Sequence, residues 1–180
     1  MMRYVLLLRG INVGGKNKVS MAELKEQLTA AGFENPSSYI NSGNLFFDSE
    51  DKVENIKETL DALFMRHYDF DVVYSLFSAE ALRLEAEQLP AWWQEEMGRK
   101  DVLFFTDEAD KQAISASIVE MDLVNEIVHF GSLGIFWGKY DEDEFLKTAY
   151  HKQLIKQPYY KRVTIRNGKT FEKLVGLVGE

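Results

Sequence analysis

The sequence contains no cysteine, and that absence removes several kinds of chemistry at once. Disulfide bonds, thiolate metal sites and cysteine nucleophiles are all excluded. No apolar run approaches the ~20 residues that a membrane-spanning helix needs. The apolar run near the start is only about five residues long, short of the ~7–15 residues of a secretion signal, and no small-residue cleavage site follows it. We therefore expect a cytoplasmic protein without membrane association.

The formal net charge of -8 is concentrated in the middle of the chain. Residues 1–47 carry five bases and three acids, residues 48–144 carry eight bases and 24 acids, and residues 145–180 carry eight bases and two acids. An acidic protein is a poor general binder of nucleic acids, although its cationic ends could still hold a phosphate. Docking of oppositely charged parts of the chain explains the same distribution.

Hydrophobic periodicity and turn residues predict the same element order twice, namely strand, helix, strand, strand, helix, strand, helix. In the first half the predicted elements are residues 3–9, 20–32, 38–41, 44–48, 51–68, 70–77 and 78–89. In the second half they are residues 102–106, 107–121, 126–130, 135–139, 141–155, 162–166 and 171–178.

This order predicts an α+β fold of two ferredoxin-like (βαββαβ plus extra helix) pseudo-repeats packed together. We expect a first subdomain at 1–89, a connector at 90–100 and a second subdomain at 101–180. The four acids at 141–144 suit the positive end of a helix dipole, so we predict no metal site there. His67, His129 and His151 are scattered without ligand or triad spacing.

The halves differ after their first strands. The second half enters its helix almost directly, whereas the first half inserts a glycine-rich segment between the same two elements. We call residues 9–18 the glycine loop and residues 41–44 the hairpin tip. Because a helical crossover makes the first two strands parallel, the loop and the tip should emerge at the same end of the sheet.

Together they predict an anion site built from cations, glycines and neutral hydrogen-bonding groups. Its candidate residues are Arg9, Gly10, Asn12, Gly14, Gly15, Lys16, Asn17, Lys18, Ser42, Gly43 and Asn44.

A second candidate anion site lies at the start of the last helix, where Thr170 is the expected cap. Its candidate residues are Arg166, Asn167, Lys169, Thr170 and Lys173.

Three segments resemble an uncharacterised bacterial family, domain of unknown function 1697. They are Leu-Leu-Arg-Gly-Ile-Asn-Val-Gly-Gly-Lys at 7–16 with Met21, Tyr-Ile-Asn-Ser-Gly-Asn at 39–44, and the closing pattern of Arg166, Asn167, Thr170, Lys173 and Leu174. The resemblance covers essentially the whole chain and implies an α+β cytoplasmic protein. It implies no reaction, cofactor or catalytic residue.

Several interpretations of the glycine loop stay open. The spacing from Gly10 to Gly15-Lys16 matches most of a P-loop, but Asn17 stands where a magnesium-binding Ser or Thr belongs. We favour a module that binds a phosphorylated small molecule or nucleotide. The alternatives are a small phosphotransfer-type enzyme using the same loop, an RNA-binding or protein-interaction domain, and a structural loop whose asparagines satisfy its own backbone.

Overall fold

The structure, a computed structural model, describes residues 1–179 of the chain. The strands in that range are β1 Met2–Leu8, β2 Glu34–Tyr39, β3 Asn44–Ser49, β4 Tyr74–Ser78, β5 Arg99–Phe105, β6 Glu126–Phe130, β7 Gly134–Lys139 and β8 Val163–Asn167. The α-helices are α1 Met21–Ala30, α2 Val53–His67, α3 Ala79–Glu87, α4 Lys111–Val119, α5 Ala149–Lys152 and α6 Gly168–Val178.

The chain divides into two compact units, Met1–Glu80 and Ala81–Glu180. Each contains a four-stranded antiparallel sheet, in the order β2-β3-β1-β4 in the first unit and β6-β7-β5-β8 in the second. This is one strand order used twice, and it confirms the predicted pair of ferredoxin-like repeats. The subdomain limits expected from the sequence, 1–89 and 101–180, stay a prediction.

In the first unit the core lies between one face of the sheet and the helices α1 and α2. Alternate residues of β1 point to the same face of a strand, so Tyr4, Leu6 and Leu8 share the face that meets the helices. Leu24 on α1 and Leu60 on α2 are fully buried against them.

The second unit repeats this arrangement with α4 and the segment that precedes β8. Leu103 and Phe105 of β5 and Trp137 of β7 pack with Ile114 of α4 and Leu154. Burying side chains of this size stabilises a fold by about 1.5–3 kcal/mol each, so each unit has a core of its own.

The strand predicted at 70–77 begins only at Tyr74. The cause is the length of its neighbour, because β4 pairs only with β1, and the ladder stops where Leu8 faces Tyr74. By contrast, the strand predicted at 38–41 begins earlier than predicted, at Glu34, and ends at Tyr39.

The single helix predicted at 141–155 is wrong. The segment is instead a 3₁₀ turn at Glu142–Lys147, the four-residue helix α5 and a second 3₁₀ turn at Leu154–Lys156. Thr148 is extended, and its hydroxyl accepts from the N–H of His151, so a new helix starts there.

A half-buried carboxylate fixes this break. Glu126 on β6 accepts hydrogen bonds from the backbone N–H groups of Ala149 (2.9 Å) and Tyr150 (3.1 Å) and from the indole of Trp137 (2.9 Å). A tertiary partner thus satisfies the N–H groups at the start of α5, which a continuous helix would have satisfied internally.

The second unit also buries an ion pair between neighbouring strands. The ammonium of Lys139 lies 2.5 Å from the carboxylate of Asp101 and 3.4 Å from the ring centroid of Tyr150. The Lys139 side chain is fully buried and that of Asp101 is 7% exposed. Such a pair costs desolvation energy, and each charge depends on the other.

Replacing Lys139 by Met alone is expected to lower the free energy of unfolding by ~3–5 kcal/mol, because the Asp101 carboxylate would stay buried without its partner. The double substitution Lys139→Met with Asp101→Leu is expected to recover most of that loss. Urea denaturation of the three proteins measures both effects. A single variant as stable as the wild type would show that the pair is not needed.

The stability of the protein is also expected to depend on pH through Lys139. Burial lowers the pKa of Lys139 from 10.5 to about 8. Because the unfolded chain keeps the ordinary pKa, it binds more protons than the fold above pH 8, so the free energy of unfolding rises with pH from there. Burial raises the pKa of Tyr150 from 10.0, which removes stability only above about pH 10.

Thermal melts between pH 8 and 10 should therefore show a stability increase in the wild type. The Lys139→Met, Asp101→Leu variant provides the reference, since it lacks the titrating amine. Parallel curves for the two proteins across this window would rule out Lys139 as the source.

Candidate functional site

The glycine loop folds as a small β-hairpin. Gly14 and Gly15 have φ values of 60° and 74°, the left-handed pair that a two-residue type I′ turn requires. The N–H of Lys16 donates to the carbonyl of Val13 at 3.1 Å, and the two residues form an antiparallel bridge. The glycines therefore make a turn that projects from the sheet, and α1 begins only at Met21.

Asn12 holds the base of this hairpin. Its side-chain nitrogen donates to the carbonyls of Val19 (2.9 Å) and Asn41 (2.8 Å), and its side-chain oxygen accepts from the N–H of Val19 (2.8 Å). Its backbone N–H donates to the carbonyl of Asn17 (3.1 Å), whose own side chain donates to the carbonyl of Gly10 (3.2 Å). Both amides are used to satisfy the backbone, and one of them links the loop to the hairpin tip.

The tip lies beside the loop, as the strand directions predict. The N–H of Leu8 donates to the carbonyl of Gly43 at 2.8 Å. Gly43 has a φ of 91°, and a Cβ there would lie 2.7 Å from the Cβ of Leu8. Asn44 is fully buried, and its amide donates to the carbonyl of Tyr39 and the hydroxyl of Ser42, both at 3.0 Å. The tip is thus an internally bonded turn seated on the end of β1.

The lysines of the loop are exposed to solvent, whereas its asparagine amides bond to the backbone. Lys16 and Lys18 are exposed, and Arg9 is half-buried. Neither lysine has an ion-pair or hydrogen-bond partner for its ammonium within residues 1–179. The N–H groups of Gly14 and Gly15 also lack an acceptor in that range. The outer half of the hairpin therefore presents unneutralised positive charge and free donors.

An apolar surface next to these cations was not predicted from the sequence. Val13 is 67% exposed and Ile40 is 52% exposed, and they are the chain neighbours of Asn12 and Asn41, which are hydrogen-bonded to each other. Ile40 has a φ of 50°, which is rare for a β-branched residue and costs about 1–2 kcal/mol. Strain of this kind persists only where surrounding structure enforces it.

The residues of the second candidate site do not all face the same side of β8. Arg166 is buried, whereas Asn167 is exposed. Arg166 is 7% exposed, its guanidinium donates to the carbonyl of Ile165 at 2.8 Å, and burial lowers its pKa to about 10. Asn167 follows it in β8 and lies at the surface. The cap of α6 is Asn167 and not Thr170, because the Asn167 side chain accepts from the N–H of Thr170 at 2.8 Å and the helix starts at Gly168.

Two of these candidates, Asn167 and Lys169, line a cleft of about 1060 Å³ in the second unit, which we call the α6 cleft. Arg166, Thr170 and Lys173 do not line it. Its other charged lining residues come from the connector, β5 and α6, and are Glu95, Glu96, Arg99, Lys100, Asp101 and Glu172. Arg99 and Lys100 were missed, because residues 95–100 read as a connector.

Two general properties follow from the described residues. Among residues 1–179 no group of three His, Asp or Glu side chains is arranged to hold a metal ion. No helix in the same range has the length and apolar character to cross a membrane.

The duplicated strand order and the clamped glycine hairpin define an α+β protein of two ferredoxin-like repeats. The chain belongs to the family described as protein of unknown function (DUF1697), whose family model matches residues 1–136. A conserved bacterial protein from Streptococcus pneumoniae is similar to it, with 49% identity, coverage of 100% of this chain and 99% of that one, and a TM-score of 0.96. No curated protein matches the chain. The family expected from the three sequence segments is thus confirmed.

The contact between tip and β1 can be tested with two glycines. Gly43→Ala is expected to cost ~3 kcal/mol or more of unfolding free energy, because a Cβ at positive φ would also overlap the side chains of Leu8 and Ile11. Gly14→Ala is the control, since its φ of 60° is also left-handed but no atom lies within 4 Å of the added Cβ, so ~1–2 kcal/mol is expected. Equal losses in urea denaturation would mean that the tip is not packed on β1.

Proposed function

We propose that the first unit binds a phosphate-bearing small molecule or a nucleotide at the outer half of the glycine loop, beside the hairpin tip. The observation that carries the proposal is the pair of exposed ammonium groups, Lys16 and Lys18, on an ordered hairpin with no carboxylate partner within residues 1–179. Phosphate oxygens would supply the missing negative charge and accept hydrogen bonds from the same groups.

Local charge supports this assignment. The glycine loop contains three bases, Arg9, Lys16 and Lys18, and no acid, in a protein whose net charge is -8. Because surface charges are screened beyond ~8–10 Å at physiological salt, an approaching anion responds mainly to the charges of the loop and of its immediate neighbours. The three cations of the loop therefore favour an anion at this place.

The candidate residues then divide into two roles. Asn12, Asn17 and Asn44 position the loop and the tip, since their amides bond to the protein itself. Lys16 and Lys18 would provide the charge, with the free N–H groups of the glycine turn. Arg9, at the base of the loop, is the third cation.

The alternatives fit less well. A P-loop needs a helix immediately after its lysine and a parallel strand beside it, whereas α1 begins at Met21 and both neighbours of β1 are antiparallel. RNA recognition by a ferredoxin-like sheet uses exposed aromatics, but Phe46 is 4% exposed and Phe47 is fully buried.

A protein-interaction role is favoured only by the exposed side chains of Val13 and Ile40. A cytoplasmic location remains part of this proposal.

Thermal-shift titrations with inorganic phosphate, pyrophosphate, ADP and ribose 5-phosphate test the proposal. At a probe concentration of ~10 times Kd, binding adds about 1.4 kcal/mol and raises Tm by about 3–6 °C. The Lys16→Ala, Lys18→Ala variant is expected to weaken binding at least tenfold.

The matched control is Lys156→Ala, Lys161→Ala, which removes the same charge from two exposed lysines of the second unit. It should bind like the wild type. If none of the four anions stabilises the wild type more than the Lys16, Lys18 variant, the loop is not an anion site.

A further inference from the structure

The α6 cleft contains an arginine that the rest of the protein leaves without a partner. The Arg99 guanidinium lies 4.0 Å over the ring centroid of Phe145, which holds it at the cleft through a cation–π contact. It makes no hydrogen bond or ion pair within residues 1–179. A half-buried guanidinium over an aromatic ring, with its donors free, is suited to binding an oxyanion, because its planar fork can donate two parallel hydrogen bonds.

The inner charges of the cleft already have partners. Asp101 is paired with Lys139 at 2.5 Å, and Glu172 accepts the indole N–H of Trp93 at 2.8 Å. Lys100 donates to the carbonyl of Trp93 at 2.5 Å. Asp101 is thus committed to Lys139, and no carboxylate within residues 1–179 forms an ion pair with Arg99.

Lys169 adds a second unneutralised cation to the lining. It is exposed in the first turn of α6 and has no ion-pair partner within residues 1–179. Glu95 and Glu96 belong to the connector and are exposed, so solvent and salt screen their charges. Arg99 and Lys169 are thus the two cations of the lining that residues 1–179 leave unpaired.

The electrostatic environment of Lys139, a buried amine next to the cleft, also favours an anion there. Burial, and to a smaller extent the positive charge of Arg99, disfavour the ammonium of Lys139 and lower its pKa to about 8, although Asp101 opposes them. A negative group beside Arg99 would relieve this repulsion between like charges. The local electrostatics therefore favour an anion in the cleft.

We propose that the α6 cleft is a second binding site, in which Arg99 grips the phosphate or carboxylate group of a small molecule and Lys169 adds charge from α6. A volume of about 1060 Å³ admits a ligand larger than an inorganic ion. The site uses residues of the second unit alone and is independent of the glycine loop.

Binding can be followed through the three tryptophans, whose indole N–H groups give separate signals in two-dimensional ¹⁵N–¹H NMR. Trp93 lines the cleft and donates to Glu172, whereas Trp137 donates to Glu126 and does not line it. Titration with inorganic phosphate and, separately, with citrate should shift the Trp93 signal saturably at concentrations up to ~10 mM and leave that of Trp137 in place. The two probes distinguish a phosphate site from a carboxylate site.

Variants that remove a positive charge or negative charges from the cleft make the test specific. Arg99→Gln is expected to raise Kd at least tenfold, and Glu95→Gln with Glu96→Gln is expected to lower it about two- to threefold, since rim repulsion is removed. Arg66→Gln, an exposed arginine of α2, is the control for an equal change of charge and should leave Kd unchanged. If Arg99→Gln fails to fold, Arg99→Lys takes its place with an expected loss of at least threefold, because the ammonium lacks the planar fork.

The Lys16→Ala, Lys18→Ala variant should bind both probes in the cleft as the wild type does, which separates this proposal from that for the glycine loop. A Trp93 signal that does not move with either probe would overturn the assignment. Equal weakening by Arg99→Gln and Arg66→Gln would also overturn it, since that result means general charge attraction.

Discussion

The central strand β1 constrains the whole first unit, because it is buried on both faces and hydrogen-bonded on both edges. Residues 4–8 are at most 3% exposed, and β3 and β4 pair with the strand on either side. Every backbone group of that stretch is therefore hydrogen-bonded within the sheet. The chain can turn away from the sheet only after Leu8. The helical crossover through α1 then brings β2 back parallel to β1. The glycine loop and the hairpin tip meet because this topology leaves them at one end.

The second unit also holds the hairpin after its second strand with one polar side chain, but that side chain is a carboxylate and not an amide. Its equivalent hairpin, between β6 and β7, is held by the carboxylate of Glu85, which accepts from the N–H groups of Ser132 (3.0 Å) and Leu133 (2.5 Å). In the first unit the amide of Asn12 has this role. A carboxylate can only accept, whereas an amide donates and accepts, so Asn12 can bind a carbonyl of the tip and an N–H of its own loop together. The two repeats share their strand order but not their loops, and the α6 cleft lies at the other end of its sheet, where β5 begins and β8 ends.

The sequence predicted the features that depend on local pattern and strand direction. These include the element order, the duplicated fold, the family, and the position of the tip beside the loop. It failed where a distant side chain decides local structure. Residues 141–155 have a helical pattern, but Glu126 captures the N–H groups at 149 and 150 and interrupts it. The burial of Arg166 and the contact of Arg99 with Phe145 likewise depend on which elements pack together, and no short-range pattern records that.

The candidate residues of the glycine loop show how physical cost separates structure from function. A loop with residues at positive φ leaves backbone N–H and C=O groups unpaired, and asparagine both tolerates that conformation and bonds to the backbone through its amide. A lysine suits this task poorly, because it accepts no hydrogen bond and loses hydration when it is buried. Asn12 and Asn17 are therefore turned to the protein, and Lys16 and Lys18 to solvent. Sequence alone groups these four residues as one polar cluster, whereas in the fold the amides bond to the backbone of the loop and the lysines are exposed to solvent.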